Sequence, residues 1–363
     1  MKFEILPSWR ASFPPIAAAL LAGAEHFYLV DAHALPFLVL AGGLLIASVF
    51  SAVHFAETVS HRIGEPFGSI VLAIAVTVIE VALIVSMMMS PSEGDPTVAR
   101  DTVFATVMLV LNGVVGLCLL VGGLRHKEQL FQSHGAAAAF GVLGTLATLT
   151  LILPNFTLAV AGPYYSPVQL AFVTVVSLVL YGTFLFVQTV RHRGDFLDIA
   201  TAGQAEHHAI PTNGKTAVSG AFLVASLLMV ILLAEMLAPS VETGVAAIGF
   251  AEAFVGLIIA AVILLPEGMT AFRAASSNRL QTSLNVATGS ALASIGLSIP
   301  AIAVVSFLLG RPITLGLEPE HIVLLVLSLF VGTLTLATGR TTIMQGAMHL
   351  VIFGCFVLLT AIP

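Results

Sequence analysis

The chain has 363 residues, of which 58% are hydrophobic and 9% charged, with a mean hydropathy of +1.07 and a formal net charge of −6. Soluble domains carry roughly 25% charged residues, so this composition excludes an ordinary soluble fold. No basic patch with interleaved aromatics supports nucleic-acid binding, and the two cysteines, Cys118 and Cys355, both inside apolar runs, suggest neither a disulfide framework nor a thiolate metal site.

The first apolar run covers about 14–30 and is interrupted by Glu25 and His26. Lys2 and Arg10 precede it, and Ala22-Gly23-Ala24 resembles a signal-peptidase site. In a multi-span chain a retained helix is the expected reading. Further runs follow at about 36–53, 66–90, 101–123, 136–154, 168–190, 216–238, 249–271, 283–309, 320–338 and 342–362. Each approaches the roughly 20 residues that a helix needs to cross the hydrocarbon core. Helices satisfy all their backbone groups internally. A β-barrel would need short alternating strands, which the sequence lacks.

Positive charge tests this layout. With eleven spans, the side that holds the N-terminus collects Lys2, Arg10, Arg62, Arg125, Lys127, Arg191, Arg193, Lys215, Arg273, Arg279 and Arg340, whereas the other side has only Arg100 and Arg311. Such asymmetry places the N-terminus in the cytoplasm and the C-terminus outside. The predicted fold is an all-α polytopic membrane protein in the lipid bilayer.

Two stretches organise the chain. Residues 64–84 are apolar except for Glu65 and Glu80, and residues 252–271 carry Glu252 and Glu267. A shift of 187 positions lays Glu65 on Glu252, Phe67 on Phe254, Ala73 on Ala260 and Glu80 on Glu267. An internal duplication with an embedded acid in each half is a pattern of secondary transporters. The expected organisation is an extra N-terminal helix (1–34), a first five-helix repeat (35–190), a cytoplasmic linker with His and acidic residues (191–215) and a second five-helix repeat (216–363). An odd number of spans per repeat inverts the second copy. Glu80 and Glu267 are then expected to face each other near the midplane.

A carboxylate inside a membrane span is costly and marks a functional site by default. Two such acids, with water and carbonyls freed by Pro266, suit a hard cation such as Ca²⁺. Burial penalises the ionised form, so protons compete for the same oxygens, and that competition supplies exchange. The alternative for Glu80 and Glu267 is a protonated pair that packs helices. Glu65 and Glu252 read equally as mouth carboxylates that gather cations or as acids placed by a helix dipole. Ser290, Ser294 and Ser298 recur every four residues after Asn285, forming either a polar cavity face or a small-residue packing face. Asn112, beside Gly113 and near Gly116, is the candidate amide oxygen near Glu80. His349 reads as a packing histidine or a proton relay, Glu235 as an interfacial acid or an access carboxylate, and the linker as a solvated loop or a sensor of cations or pH.

The stretch HRIGEPFGSIVLAIAVTVIEVALI resembles the first repeat signature of bacterial calcium/proton antiporters of the ChaA type, in the calcium:cation antiporter superfamily. ILLPEGMTAFRAA followed by NVATGSALASIGLSIP resembles the second signature, and TGRTTIMQGAMHL that group's last helix. The chain departs from the wider superfamily's Gly-Asn-Ala signature: Thr77-Val78-Ile79 precede Glu80 and Leu264-Leu265-Pro266 precede Glu267.

The resemblance, from about Leu35 to the end, implies inverted five-helix repeats in the cytoplasmic membrane. It implies alternating access, Ca²⁺ efflux in exchange for H⁺, and Glu80 and Glu267 as the cation- and proton-binding acids, with Asn112 and Ser290 and its neighbours in the third helix of each repeat. The alternative is a Na⁺ or K⁺/H⁺ antiporter with the same site. No cofactor is expected beyond the transported ions, and no enzymatic activity: a phosphate-binding Gly-rich Lys loop and a His-Glu-x-x-His cluster are both absent from the sequence. A homo-oligomer remains open.

Overall fold

The structure, a computed structural model, describes residues 9–27, 34–64, 67–88, 97–198, 211–251 and 253–363. Among them lie eleven helices: α1 (Trp9–His26), α2 (Leu35–Ile63), α3 (Phe67–Met88), α4 (Val98–His126), α5 (Ser133–Phe156), α6 (Pro167–Arg191), α7 (Asn213–Ala247), α8 (Ala253–Ser276), α9 (Leu280–Leu309), α10 (Pro319–Ala337) and α11 (Ile343–Ala361). The chain is an all-α polytopic membrane protein. Nine of the eleven, all but α1 and α3, are long and apolar enough to span a bilayer among the described residues, and α3 adds a shorter apolar stretch, Ala73–Val85.

Two helices run further than their apolar cores. The hydropathic run at 36–53 ends where His54 and Glu57 enter, yet α2 continues to Ile63 because Phe55 and Ala56 keep a buried face. It stops at Gly64, whose φ of 75° turns the chain while its N–H donates to Ser60 O. The 35 residues of α7 reach about 52 Å, well beyond a hydrocarbon core of about 30 Å.

Helix starts follow local chemistry. Ser166 and Gln169 form a capping box ahead of Pro167 in α6, and Thr342 and Gln345 do the same for α11. Four helices contain π-helical segments: Leu109–Val114 in α4, Thr148–Ile152 in α5, Val187–Arg191 in α6 and Ser294–Ser298 in α9. Those in α4 and α9 are central and fall on Asn112 and on Ser294 and Ser298. Single-turn π segments recur at functional sites.

The described helices pack as two compact units. The first comprises α1, α2, α3 and α7, with a core of Ala18, Phe37, Ala41, Leu233 and Leu237. Phe55 stacks on Phe222 at 5.2 Å, and Arg62 Nη2 donates to Asn213 Oδ1 at 2.5 Å. Both contacts join the end of α2 to the start of α7, while Phe37 and Ala41 share a core with Leu233 and Leu237 further along it, so the two helices are antiparallel.

The second unit comprises α4, α5, α6, α9, α10, α11 and α8 from Gly256 onward. The loops after α4 and α10 pair as two short strands, β1 (Gln129–Leu130) and β2 (Arg340–Thr341), antiparallel with Gln129 opposite Thr341. α5 and α10 cross closely, with Gly332 against Phe140 and Gly144 against Leu329. α11 lies on α4 through Gly113, Gly116, Gly123 and Gly346, and α6 lies on α9 where Tyr181 meets Gly296.

The linker begins as packed structure rather than as a solvated loop. Phe196 is buried against Phe184, and its carbonyl accepts from Asn285 Nδ2 at 2.5 Å. Asp198, 7% exposed, accepts from the Thr282 backbone N–H at 3.3 Å and pairs with Arg279 at 3.3 Å. The later linker positions Glu206, His207 and His208 lie outside the described residues.

Candidate cation site

In the first unit, α3 carries Glu80, which is 4% exposed among Ile79, Leu83 and Ile84. Thr77 lies three residues earlier and so on the same helical face. It is 8% exposed, and its Oγ1 is buried with no hydrogen-bond partner among the described residues. The sequence reading passed over Thr77, although its i,i+3 spacing from an embedded acid was a visible signal. Glu65 and Glu252 lie outside the described residues.

In the second unit, α8 carries Glu267, half-buried with Oε2 sealed from solvent. The helix is not broken at Pro266: it runs continuously from Ala253 to Ser276. The missing proline N–H still leaves the carbonyl one turn back without its usual donor, while Thr270 Oγ1 donates to Pro266 O at 2.9 Å.

Helix register brings Glu267 to the level of the π segment of α4. A Cβ on Gly256 would lie 3.5 Å from Thr102 Oγ1, and one on Gly268 3.5 Å from Val114 Cγ2. The offset is the same at both points, so α8 and α4 run parallel and Glu267 falls at the level of Gly113, one residue from Asn112. α9 runs the opposite way along α4. Ser283 hydrogen-bonds Cys118, and the π segment of α9 packs on the first part of α4. Seven residues along α9 from Ser283 and six back along α4 from Cys118 bring Ser290 and Asn112 to one level.

Thus Glu267, Asn112 and Ser290 fall at one level along the helices of the second unit, and Glu80 lies in the first. Ser290 Oγ is buried with no hydrogen-bond partner among the described residues. Ser294 is 4% and Ser298 0% exposed, and both are engaged in interactions. Asn285 stands apart from this level. Its amide is taken by Phe196 O and by Gln281 Nε2 at 2.9 Å, so it clamps the linker. Glu235 is exposed on α7.

Asn112 is fully buried and fully engaged. Its Nδ2 donates to Ser328 Oγ at 2.9 Å, and its Oδ1 faces His349 Nδ1 at 3.0 Å. At the other end of α4, Arg100 is 5% exposed. It is held by Asp101 at 2.7 Å, by Gly316 O at 3.1 Å and by Glu318 at 3.6 Å.

Carboxylates and hydroxyls are hard oxygen donors, which suit alkali and alkaline-earth cations rather than soft metals. Among the described residues no group of three or more His, Cys, Asp or Glu is placed to hold a metal ion.

Comparison with known proteins identifies this architecture. Residues 33–190 and 218–361 match the family "Sodium/calcium exchanger protein". The "Putative ionic transporter y4hA" of Sinorhizobium fredii is 51% identical over 99% of this chain and 97% of its own length. The sodium-potassium/proton antiporter ChaA of Escherichia coli is 33% identical over 86% of each chain, and the Ca(2+)/H(+) antiporter ChaA of Bacillus subtilis is 26% identical over 65% of this chain and 66% of its own. Among solved structures, native YfkE superposes with a TM-score of 0.72 at 18% identity, covering 97% of this chain and 99% of that one. The H+/Ca2+ exchanger CAX gives 0.63 at 14% identity, covering 97% and 93%. The match across both halves, on a shared polytopic helical fold, establishes that the chain belongs to the sodium/calcium exchanger protein family of cation antiporters.

Proposed function

We propose that the protein moves a cation out of the cytoplasm in exchange for protons by alternating access, with Ca²⁺ as the cargo. Glu80 and Glu267 hold the cation or protons in turn, and Ser290 and Asn112 act beside Glu267. The observation that carries this reading is the common level of Glu267, Asn112 and Ser290 along the helices of the second unit, with the Ser290 hydroxyl buried and without a hydrogen-bond partner among the described residues. Membrane burial makes an ionised carboxylate costly. Loading a cation or a proton relieves that cost, and one ligand displaces the other.

Inverted five-helix repeats are the architecture in which such a site is built. Three observations support them here. The first helices of the two halves, α2 and α7, are antiparallel. The third helices, α4 and α9, are antiparallel and each has a central π segment. The fifth helix of each half packs on the third helix of the other. The lopsided distribution of Lys and Arg supports a cytoplasmic N-terminus in the bacterial inner membrane.

A second reading, Na⁺ or K⁺ in exchange for H⁺, is favoured by the 33% identity to the sodium-potassium/proton antiporter ChaA. The two readings separate in proteoliposomes with an imposed pH gradient. Collapse of the gradient by micromolar Ca²⁺ supports the first, and collapse by Na⁺ or K⁺ alone supports the second. A gradient that no cation collapses overturns both.

A further inference from the structure

Asn112 is linked to three other buried side chains: Ser328 (0% exposed), Thr335 (1%) and His349 (2%). Ser328 and Thr335 stand on α10 and His349 on α11. Ser328 Oγ donates to Leu324 O at 2.7 Å, so its proton is spent and it accepts from Asn112 Nδ2. That fixes the amide, with Oδ1 towards His349. A carbonyl oxygen only accepts, so His349 Nδ1 carries the hydrogen in that 3.0 Å contact. In the neutral ring Nε2 is then the acceptor, and it receives the Thr335 hydroxyl at 3.2 Å. The chain has one sense: Thr335 to His349 to Asn112 to Ser328 to the Leu324 carbonyl. Reversing the Asn112 amide would set its oxygen against a Ser328 hydroxyl with no proton left.

The backbone makes the contact close. A Cβ on Gly116 would lie 3.0 Å from His349 Cβ, and one on Gly346 2.4 Å from Leu120 N. His349 is therefore pressed directly on α4 one turn from its π segment, at the level that Glu267 and Ser290 share with Asn112. An amide oxygen has two lone pairs. With one taken by His349, the other keeps a fixed direction.

We infer that His349 is a positioning residue of the transport site: its Nδ1–H sets the orientation of the Asn112 amide, and Thr335 holds His349 in the tautomer that allows it. This rests on the proposed cation/proton exchange. The transport part of its test is therefore read relative to wild type and to Glu267→Gln, which is expected to abolish exchange outright.

The test compares two isosteres. Asn at 349 places an amide nitrogen near the Nδ1 position and keeps a donor for Asn112. Gln reaches towards the Nε2 position and loses that donor. His349→Gln is expected to raise the half-saturating cation concentration about tenfold, whereas His349→Asn recovers most of the affinity. In an Asn112→Ala background the His349→Gln effect is expected to vanish, because both changes act through one amide. Equal effects of the Asn and Gln variants, or effects that multiply in the double variant, would overturn the inference.

A second measurement needs no transport at all. Nitrogen-15 NMR of histidine-labelled protein is expected to show a neutral Nδ1–H tautomer for His349 that changes in Asn112→Leu and in Thr335→Val. A neutral Nε2–H form in wild type overturns the inference even if the His349 variants do not fold. If wild type transports nothing yet the tautomer is as expected, the transport reading fails and the positioning contact stands.

Discussion

Ser290 and Thr77 each hold a buried hydroxyl with no hydrogen-bond partner among the described residues, Thr77 on the helix of Glu80 and Ser290 at the helix level of Glu267. Burying an unsatisfied hydroxyl costs about 1–3 kcal/mol, and folding gains nothing from it. Ser290→Ala is thus expected to leave the thermal stability of the solubilised protein unchanged or raised by about 1 kcal/mol. The same variant should raise the half-saturating cation concentration severalfold. A clear loss of stability without change in affinity would make Ser290 a packing residue.

Tyr165 tests a different residue-level claim, outside the spans. Its hydroxyl donates to Leu149 O at 2.5 Å, and burial pushes its pKa from 10.0 to about 12. The folded state holds this proton more tightly than the unfolded chain. Its contribution is therefore complete below pH 10 and lost as pH rises towards 12. Melting curves of Tyr165→Phe should show a weaker stability loss across that window than wild type.

At this scale Glu80, Glu267 and Ser290 could be picked out as candidates because polar groups in apolar runs announce themselves. Thr77 was legible in principle by its spacing. The partnership of Asn112 with His349 was not, since the two are 237 positions apart and no local pattern encodes which helices meet.

Among the elements, α4 and α11 pack backbone against backbone. Gly346 sits where a Cβ would fall 2.4 Å from Leu120 N and 2.9 Å from Gly116 O, all backbone atoms that cannot swing away. Gly346→Ala is expected to destabilise by at least about 2 kcal/mol and to weaken exchange by lifting His349 off α4. Gly354, on the same helix, has nothing within 4 Å of a Cβ, so Gly354→Ala should cost nothing. Equal melting temperatures for the two variants would mean that the helices do not approach this closely.

Helix existence was legible from hydropathic length: eleven apolar runs were expected, and eleven described helices cover them. Helix ends were less so. α2 outruns its apolar core on a buried face, and Pro266 leaves α8 continuous because one missing donor inside a packed helix costs a single bond. The central π segments had no sequence signal, because they answer to packing rather than to propensity.

At the scale of the whole molecule, the pieces that pack together are not consecutive in sequence. Each compact unit draws helices from both sequence halves. The repeat boundaries expected from sliding the chain on itself are a different division from these units. Packing units follow from side-chain complementarity between distant helices, which hydropathy does not report. The docking of Asp198 on the start of α9 was hidden for the same reason, since a charged residue in a polar stretch reads as solvated.

Orientation is testable at this scale. In a Cys355→Ala background, Arg311→Cys should react with a membrane-impermeant maleimide on intact cells, and Lys127→Cys only after permeabilisation. The reverse pattern would invert the proposed topology.

The central claim is that two embedded glutamates hold cation and protons in turn. Its most direct test is exchange in proteoliposomes under an imposed pH gradient, with Ca²⁺, Na⁺ and K⁺ added separately to wild type, Glu80→Gln and Glu267→Gln. The account expects Ca²⁺ to collapse the gradient in wild type and each substitution to abolish that collapse while the protein stays folded. Full exchange surviving both substitutions would contradict it.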